Sequence, residues 1–272
     1  MRKAKKKFLG KILVMLSVLV CVGAFVACGE KKEDTTDTTD SAGTTEFTKT
    51  YVVATDTTFP PFEFQDDTGK TVGIDIELLE AIAADQGFKY ELKALGFDAA
   101  VAALESNQAD AVIAGMSITD VRKEKYNFSE PYYDSGVVMA IKAGNNEIKG
   151  YEDLKDKKVA VKTGTEGETF ANSVMEQYGF SVVSFAESPM MYEEVKTGNS
   201  VACFEDFPVM GYGISQGNGL AIVTDMEQGS SYGFAVMKDK NTELLEAFDA
   251  GLKNIKDNGT YQKIIDKYIA KN

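Results

Sequence analysis

From Tyr51 onward, short β-rich runs alternate with helix-length segments. That alternation restricts the chain to an α/β architecture with mostly parallel sheets. Tyr51 to Thr55 opens it as a strand. Asp75 to Gln86 carries Ile76, Leu79 and Ala83 at i, i+3 and i+7 and ends at Gly87, a C-terminal glycine. Asp98 is placed to cap a helix over Ala99 to Ser106, and Ala111 to Ala114 reads as a strand. Further on, the pattern predicts a strand over Lys158 to Lys162, helices over Thr169 to Tyr178 and Pro189 to Thr197, and a strand over Val201 to Phe204. Leu245, Phe248, Leu252 and Ile255 then mark one amphipathic helix. Tyr261, Ile264, Ile265, Tyr268 and Ile269 mark another, beyond Asn258-Gly259. No internal repeat of fixed period is present. About 224 residues of this kind are long for one sheet and comfortable for two lobes.

The N-terminus is of a different kind. Arg2, Lys3, Lys5, Lys6, Lys7 and Lys11 form a basic start, and Ile12 to Ala27 is an uncharged apolar run. Phe25-Val26-Ala27-Cys28 closes it with a small residue before cysteine. This pattern is a secretory signal and resembles that of bacterial lipoproteins. The resemblance implies cleavage of residues 1–27 and diacylation (palmitate-type lipid) of the Cys28 thiol. An uncleaved anchor is the alternative, although 16 residues fall short of the roughly 20 that span a bilayer comfortably. Either way the folded part faces outward at the membrane. Gly29 to Thr48 is polar and cannot bury a core, so residues 28–48 are expected to be a lipidated cysteine and a flexible tether.

Charge and cysteine usage narrow the function further. The chain carries −13, and removing the signal takes away six positive charges and no negative ones, leaving −19. That argues against nucleic acid and against electrostatic adhesion to anionic lipid. The absence of histidine removes His-based metal sites and Ser–His or Cys–His nucleophile pairs, and no cofactor is expected. With Cys21 in the signal and Cys28 as the lipid site, only Cys203 remains, so no intrachain disulfide forms in the mature domain. Its apolar setting, Val201 to Phe204, reads as packing.

In open α/β sheets ligands sit at the carboxyl ends of strands. Asp56, Ser117, Lys162, Thr165 and Asp206 all fall there. The segment Ala114 to Arg122 is the most suggestive. A strand runs into a small-residue turn and then into a helix whose first turn carries an arginine. Backbone N–H groups, a hydroxyl and a guanidinium thus converge on a point that suits a carboxylate. An ordinary strand–helix turn with a solvated arginine would show the same residues.

Several motifs occur in order: Ala54 to Phe64 (ATDTTFPPFEF), Gly73 to Leu78 (GIDIEL), Gly115 to Arg122, Phe128 to Tyr133 (FSEPYY), Lys162 to Thr165 (KTGT) and Asn258 to Tyr261 (NGTY). This set resembles the polar amino-acid substrate-binding proteins of ABC importers, including glutamine- and lysine/arginine/ornithine-binding proteins, over nearly all of residues 50 to 270. The resemblance implies a type II periplasmic-binding-protein-like α/β fold of two lobes with two hinge crossings. Lobe 1 would be 49–132 plus 233–272 and lobe 2 would be 137–228. The crossings would fall near Tyr133 to Gly136 and Gly229 to Tyr232.

The resemblance also implies roles. Arg122 holds a ligand carboxylate bidentately, completed by Ser117 and the Thr165 backbone N–H. Asp206 pairs with the ligand ammonium, helped by the Gly115 carbonyl. A solvated loop acid or a helix cap before Pro208 is the plainer alternative for Asp206. Phe59 and Phe97 wall the ligand stem, where core packing would look the same. Asp56 and Lys162 meet the ligand side chain from opposite lobes. An amide suits both of them, whereas a cation or an anion suits only one, so glutamine is favoured. Glu205 and Glu166 depart from the glutamine-type pattern. A Glu205 facing the cleft would favour a basic ligand, and Glu166 could re-charge the pocket. The expected partners are a free amino acid, a membrane permease and the membrane itself through the lipid. A cyclohexadienyl-dehydratase-like enzyme and a sensor module are the rival classes. Against the enzyme, a site that pairs each ligand charge with a fixed partner stabilises the ground state and brings no turnover.

Overall fold

The computed structural model describes residues Phe47 to Ile269. The signal run, the Cys28 lipid site and nearly all of the tether lie outside the described residues. The first lobe opens with β1 (Thr50–Thr55), a small sheet of β2 (Thr58–Phe59), β3 (Glu63–Gln65) and β4 (Thr71–Val72), then α1 (Ile74–Gln86) and β5 (Lys89–Ala94). It continues through α2 (Phe97–Glu105), β6 (Ala111–Val112), α3 (Asp120–Lys123) and β7 (Tyr126–Phe128). The second lobe comprises β8 (Tyr133–Lys142), β9 (Lys158–Lys162), α4 (Glu166–Tyr178), β10 (Ser181–Phe185), α5 (Ser188–Thr197), β11 (Ala202–Asp206), α6 (Phe207–Ser215), β12 (Leu220–Ile222) and β13 (Glu227–Tyr232). The chain then returns to the first lobe as β14 (Ala235–Met237), α7 (Thr242–Asp257) and α8 (Thr260–Tyr268).

The first sheet has the order β5-β1-β6-β14-β7 and the second β10-β9-β11-β8-β12, with β13 also on β8. The expectation of mostly parallel sheets needs correction. β8 runs antiparallel to β11, β12 and β13, and β14 runs antiparallel to β6 and β7. These strands carry the chain between the lobes, so they enter each sheet against the direction set by its β–α–β units. Both expected crossings are extended strand. Tyr133 faces Tyr232 and Asp134 faces Ser231, so the two connections lie side by side as a ribbon.

The strands alternate between two cores, as a period of two requires. On β8, Val137, Met139 and Ile141 pack to one side of the second sheet, and Val138 and Ala140 to the other. Both faces are covered by helices, which is why these strands read as continuous apolar runs. Cys203 is buried among Val138, Ala140 and Met191, as packing. In the first lobe, α7 and α8 lay Leu244, Phe248, Leu252, Ile255 and Ile264 against Ile74, Leu78 and Ile82 of α1.

Helix starts differ from expectation where a turn residue intervenes. Asp98 caps nothing. Gly96, at φ 91°, takes the N-cap position and the helix begins at Phe97. α4 begins three residues earlier than its apolar pattern, because the Thr165 hydroxyl accepts from the Glu168 N–H. Among the described residues no helix is long and apolar enough to cross a membrane.

The rings of Phe234, just before β14, and Phe248 on α7 stack at 4.3 Å. Phe248→Ala should cost about 3–5 kcal/mol and lower the melting temperature by roughly 6–20 °C. A calorimetric shift below about 2 °C would show that this contact does not anchor the returning segment.

Candidate ligand-binding cleft

Strand ends from both lobes meet at one cavity. β1 delivers Asp56, β9 delivers Lys162 and Thr165, and β11 delivers Asp206. The turn after β6 supplies Gly115 and Ser117, α3 supplies Arg122, and β2 and α2 supply Phe59 and Phe97. All nine of these residues, singled out in the sequence, line the cavity, together with Ala114 and Glu166. The cavity they enclose is about 10 Å³, room for about one water, so the two sets of walls meet each other here and a larger molecule enters only when they part.

The geometry explains how each group is held. Lys162 and Asp56 form an ion pair across the cleft, and both side chains are 1 % exposed. Asp56 also accepts from the Thr57 N–H at 2.6 Å, and Lys162 donates to the Thr58 hydroxyl at 3.3 Å. The Lys162 ammonium lies 5.1 Å from the centre of the Phe59 ring, and the Arg122 guanidinium 5.6 Å from that of Phe97. Thus each aromatic wall carries a cation.

Arg122 donates to the Ser117 carbonyl at 2.9 Å and, across the cleft, to the Gly164 carbonyl at 3.0 Å. Glu166 stands 3.3 Å from the same guanidinium. Burial pulls the Arg122 pKa down, while Glu166 and Asp206 oppose that pull. The Thr165 hydroxyl donates to the Lys162 carbonyl at 2.7 Å. Its backbone N–H, expected to face a ligand, points at that same carbonyl at 3.4 Å. Gly115 has φ +50°, and a Cβ there would stand 2.5 Å from the Phe59 ring, so only glycine lets the turn pass this wall.

Asp206 holds the N-cap position of α6 but makes no side-chain cap bond. It accepts instead from the Tyr232 hydroxyl at 2.6 Å. Burial first, and then the neighbouring Glu205, push its pKa up to about 7, against the Tyr232 bond and Arg122. Glu205, the preceding residue on β11, points to the other face of the sheet. It accepts there from Ser188 at 3.1 Å and from the Tyr192 hydroxyl at 2.8 Å.

Beneath the cavity lie residues that the sequence reading did not single out. Asp75 accepts from the Gly115 N–H and from the Tyr132 hydroxyl, both at 2.8 Å, and so fixes the Gly115 turn. Glu63 is fully buried, and its carboxyl oxygens have no donor, nor has Oδ1 of Asp75. Burial, then Asp75 and Asp56, push Glu63 well above the usual carboxylate range, and burial lifts Asp75 to about 6. Burial thus favours the neutral acid at this pair, at Glu63 above all. One signal was available for Asp75: an acid set between the apolar residues Ile74 and Ile76 at the start of α1.

Comparison with known proteins agrees with this architecture. Residues 51–271 match the family model for bacterial extracellular solute-binding proteins, family 3. The chain belongs to that family, and the resemblance read from its motifs holds. It is 32% identical over 222 residues to the L-cystine-binding protein TcyJ of Escherichia coli (strain K12), covering 81% of this chain and 82% of that one. It superposes with a TM-score of 0.75 and 41% identity on an ancestral arginine-binding protein bound to glutamine, covering 82% of this chain and 98% of that one. An ancestral amino acid-binding protein described as a precursor of cyclohexadienyl dehydratase matches with a TM-score of 0.73 and 35% identity, covering 80% and 95%.

The buried acid pair gives a pH signature. A carboxyl with a raised folded-state pKa keeps its full stabilising effect below its unfolded pKa and loses it as pH rises through the folded value. Glu63→Gln keeps the size and polarity of the buried side chain without a titrating proton. Above pH 5 the variant's stability should therefore fall less steeply than the parent's, by up to about 1.4 kcal/mol per pH unit. Chemical denaturation at pH 5 to 8 checks this, and parallel slopes would refute the protonated assignment.

Proposed function

We propose that this chain is the substrate-binding component of an ABC importer, held on the outer face of the cell membrane by a lipid on Cys28. It captures a free polar amino acid, glutamine first, and delivers it to a membrane permease. The lobes take the boundaries read from the sequence, 49–132 plus 233–272 and 137–228. The observation that carries this reading is the assembly of Arg122, Asp206 and the buried Asp56–Lys162 pair around one small cavity.

A free amino acid presents a carboxylate and an ammonium on one carbon. Arg122 suits the first through its planar fork, with Ser117 and Thr165 beside it. Asp206 suits the second, with the Gly115 carbonyl. Phe59 and Phe97 enclose the stem. The Asp56–Lys162 pair offers a donor and an acceptor already matched to each other. An amide inserts there with both bonds satisfied, while a free charge leaves one partner opposed. With Glu205 turned to the far face of the sheet, the reason it gave for a basic ligand falls away.

A basic amino acid or cystine is the second reading. The cavity wall carries three carboxylates, Asp56, Glu166 and Asp206, against two cations, Arg122 and Lys162. That surplus favours a cationic side chain, and relatives named for cystine and for arginine fit it. Chemistry on the ligand, as in a dehydratase, is disfavoured because a site that pairs each ligand charge with a fixed partner stabilises the ground state and brings no turnover.

Arg122→Ala should leave the fold intact and weaken amino-acid binding in titration calorimetry by at least about 100-fold, the loss of a buried charge pair. Binding retained at the parent's affinity would remove the carboxylate assignment. Lys162→Ala should admit lysine and arginine more readily relative to glutamine. Unchanged discrimination would show that Lys162 does not set specificity.

A further inference from the structure

Asp206 is tied to the ribbon that joins the lobes. Its carboxylate accepts from the hydroxyl of Tyr232, the last residue of β13, at 2.6 Å. That hydroxyl accepts in turn from Ser135 on β8, the other strand of the ribbon, at 3.1 Å. Tyr232 has no exposed surface. Its backbone carbonyl takes the Tyr132 N–H at 3.0 Å, and the residue forms an isolated bridge with Ser117, which lines the cavity. Its ring lies against Phe62 at 4.9 Å and Phe59 at 6.3 Å. One side chain therefore touches the wall of the cavity, the acid within it and both connections between the lobes.

We infer that Tyr232 is the positioning residue for ammonium capture: its hydroxyl, primed by Ser135, keeps Asp206 ionised and aimed at the cavity, and so links ligand charge to the inter-lobe ribbon. This rests on the amino-acid reading of the cleft. The chemistry follows from the surroundings of Asp206. Burial, Glu205 on its own strand and Glu166 on α4 favour the neutral acid, while the Tyr232 hydroxyl and Arg122 on α3 favour the carboxylate. Asp56 and Lys162, facing the same cavity, are already paired to each other. With Asp206 titrating at about 7, the balance is close enough for one donor to decide it. A neutral Asp206 holds an ammonium poorly. Binding should thus weaken as pH falls through this value, and removing the donor should move that loss to higher pH.

The test is titration of the full chain in detergent with L-glutamine and with L-arginine from pH 5.0 to 8.5. Tyr232→Phe, Ser135→Ala and Asp206→Asn are compared with the parent. Tyr232→Phe should bind about tenfold more weakly at pH 7, the order expected for a lost hydrogen bond to a charged group, and approach the parent at pH 8.5. Its acid midpoint should rise by about one pH unit. Ser135→Ala should shift the midpoint in the same direction by less, and it carries the test alone if Tyr232→Phe fails to fold. A loss equal at every pH, or an unmoved midpoint, would reduce Tyr232 to packing and overturn the inference. Asp206→Asn should lose binding at all pH values. If it binds as the parent does, Asp206 does not hold the ammonium and the inference falls; if the parent itself binds neither amino acid at any pH, the amino-acid reading of the cleft fails instead.

Discussion

The ion pair between Asp56 and Lys162 is the contact on which the closed arrangement of the two lobes depends. It joins the end of β1 in one lobe to the end of β9 in the other, with both side chains almost fully buried. Removing two charges from water costs several kcal/mol per ion, and their attraction repays this only when further bonds complete the site. Here Thr57, Thr58 and the Phe59 ring provide them. A second link, from Arg122 to Gly164 and Glu166, crosses the same cleft with the positive partner now in the first lobe. The crossed polarity sets one cation of each lobe against a carboxylate of the other, Lys162 against Asp56 and Arg122 against Glu166, which fixes how the lobes register.

Around this pair the sheet topology does the positioning. Strand ends are rigid, and helices on both faces of each sheet hold them in place. The antiparallel β8, β13 and β14 add what the β–α–β units lack, two adjacent connections that bring both lobes to one ribbon. The functional groups therefore sit on stiff elements, while the ribbon through Tyr133 and Tyr232 is where one lobe can turn against the other.

The sequence made the strand ends legible, because a polar residue closing an apolar run is a local signal. Asp56, Lys162 and Asp206 each have that form. The helices at the C-terminus were legible too, through the spacing of Phe248 and Ile264. Other features carry no local mark. Strand direction leaves no trace in periodicity, so β8 and β14 could not be read as antiparallel. β5, Lys89–Ala94, sits at a sheet edge and has no apolar run to announce it. The polar supports of the cavity were hidden for a related reason. Tyr132 meets Asp75 from 57 residues away, and Tyr232 meets Asp206 from 26. Such partnerships exist only once the lobes are built. Glu205 shows the converse. Adjacency to Asp206 suggested the cleft, but alternation along a strand sends neighbours to opposite faces.

The most direct test of the account is a thermal-shift panel on protein freed of carried-over ligand by unfolding and refolding. It would use the twenty amino acids plus ornithine and cystine. A ligand at about 100 times its dissociation constant adds roughly 2.7 kcal/mol of stability. The account predicts a large shift with glutamine and little with arginine. A shift confined to basic amino acids or cystine would contradict the role given to the Asp56–Lys162 pair, and no shift with any amino acid would contradict amino-acid capture itself.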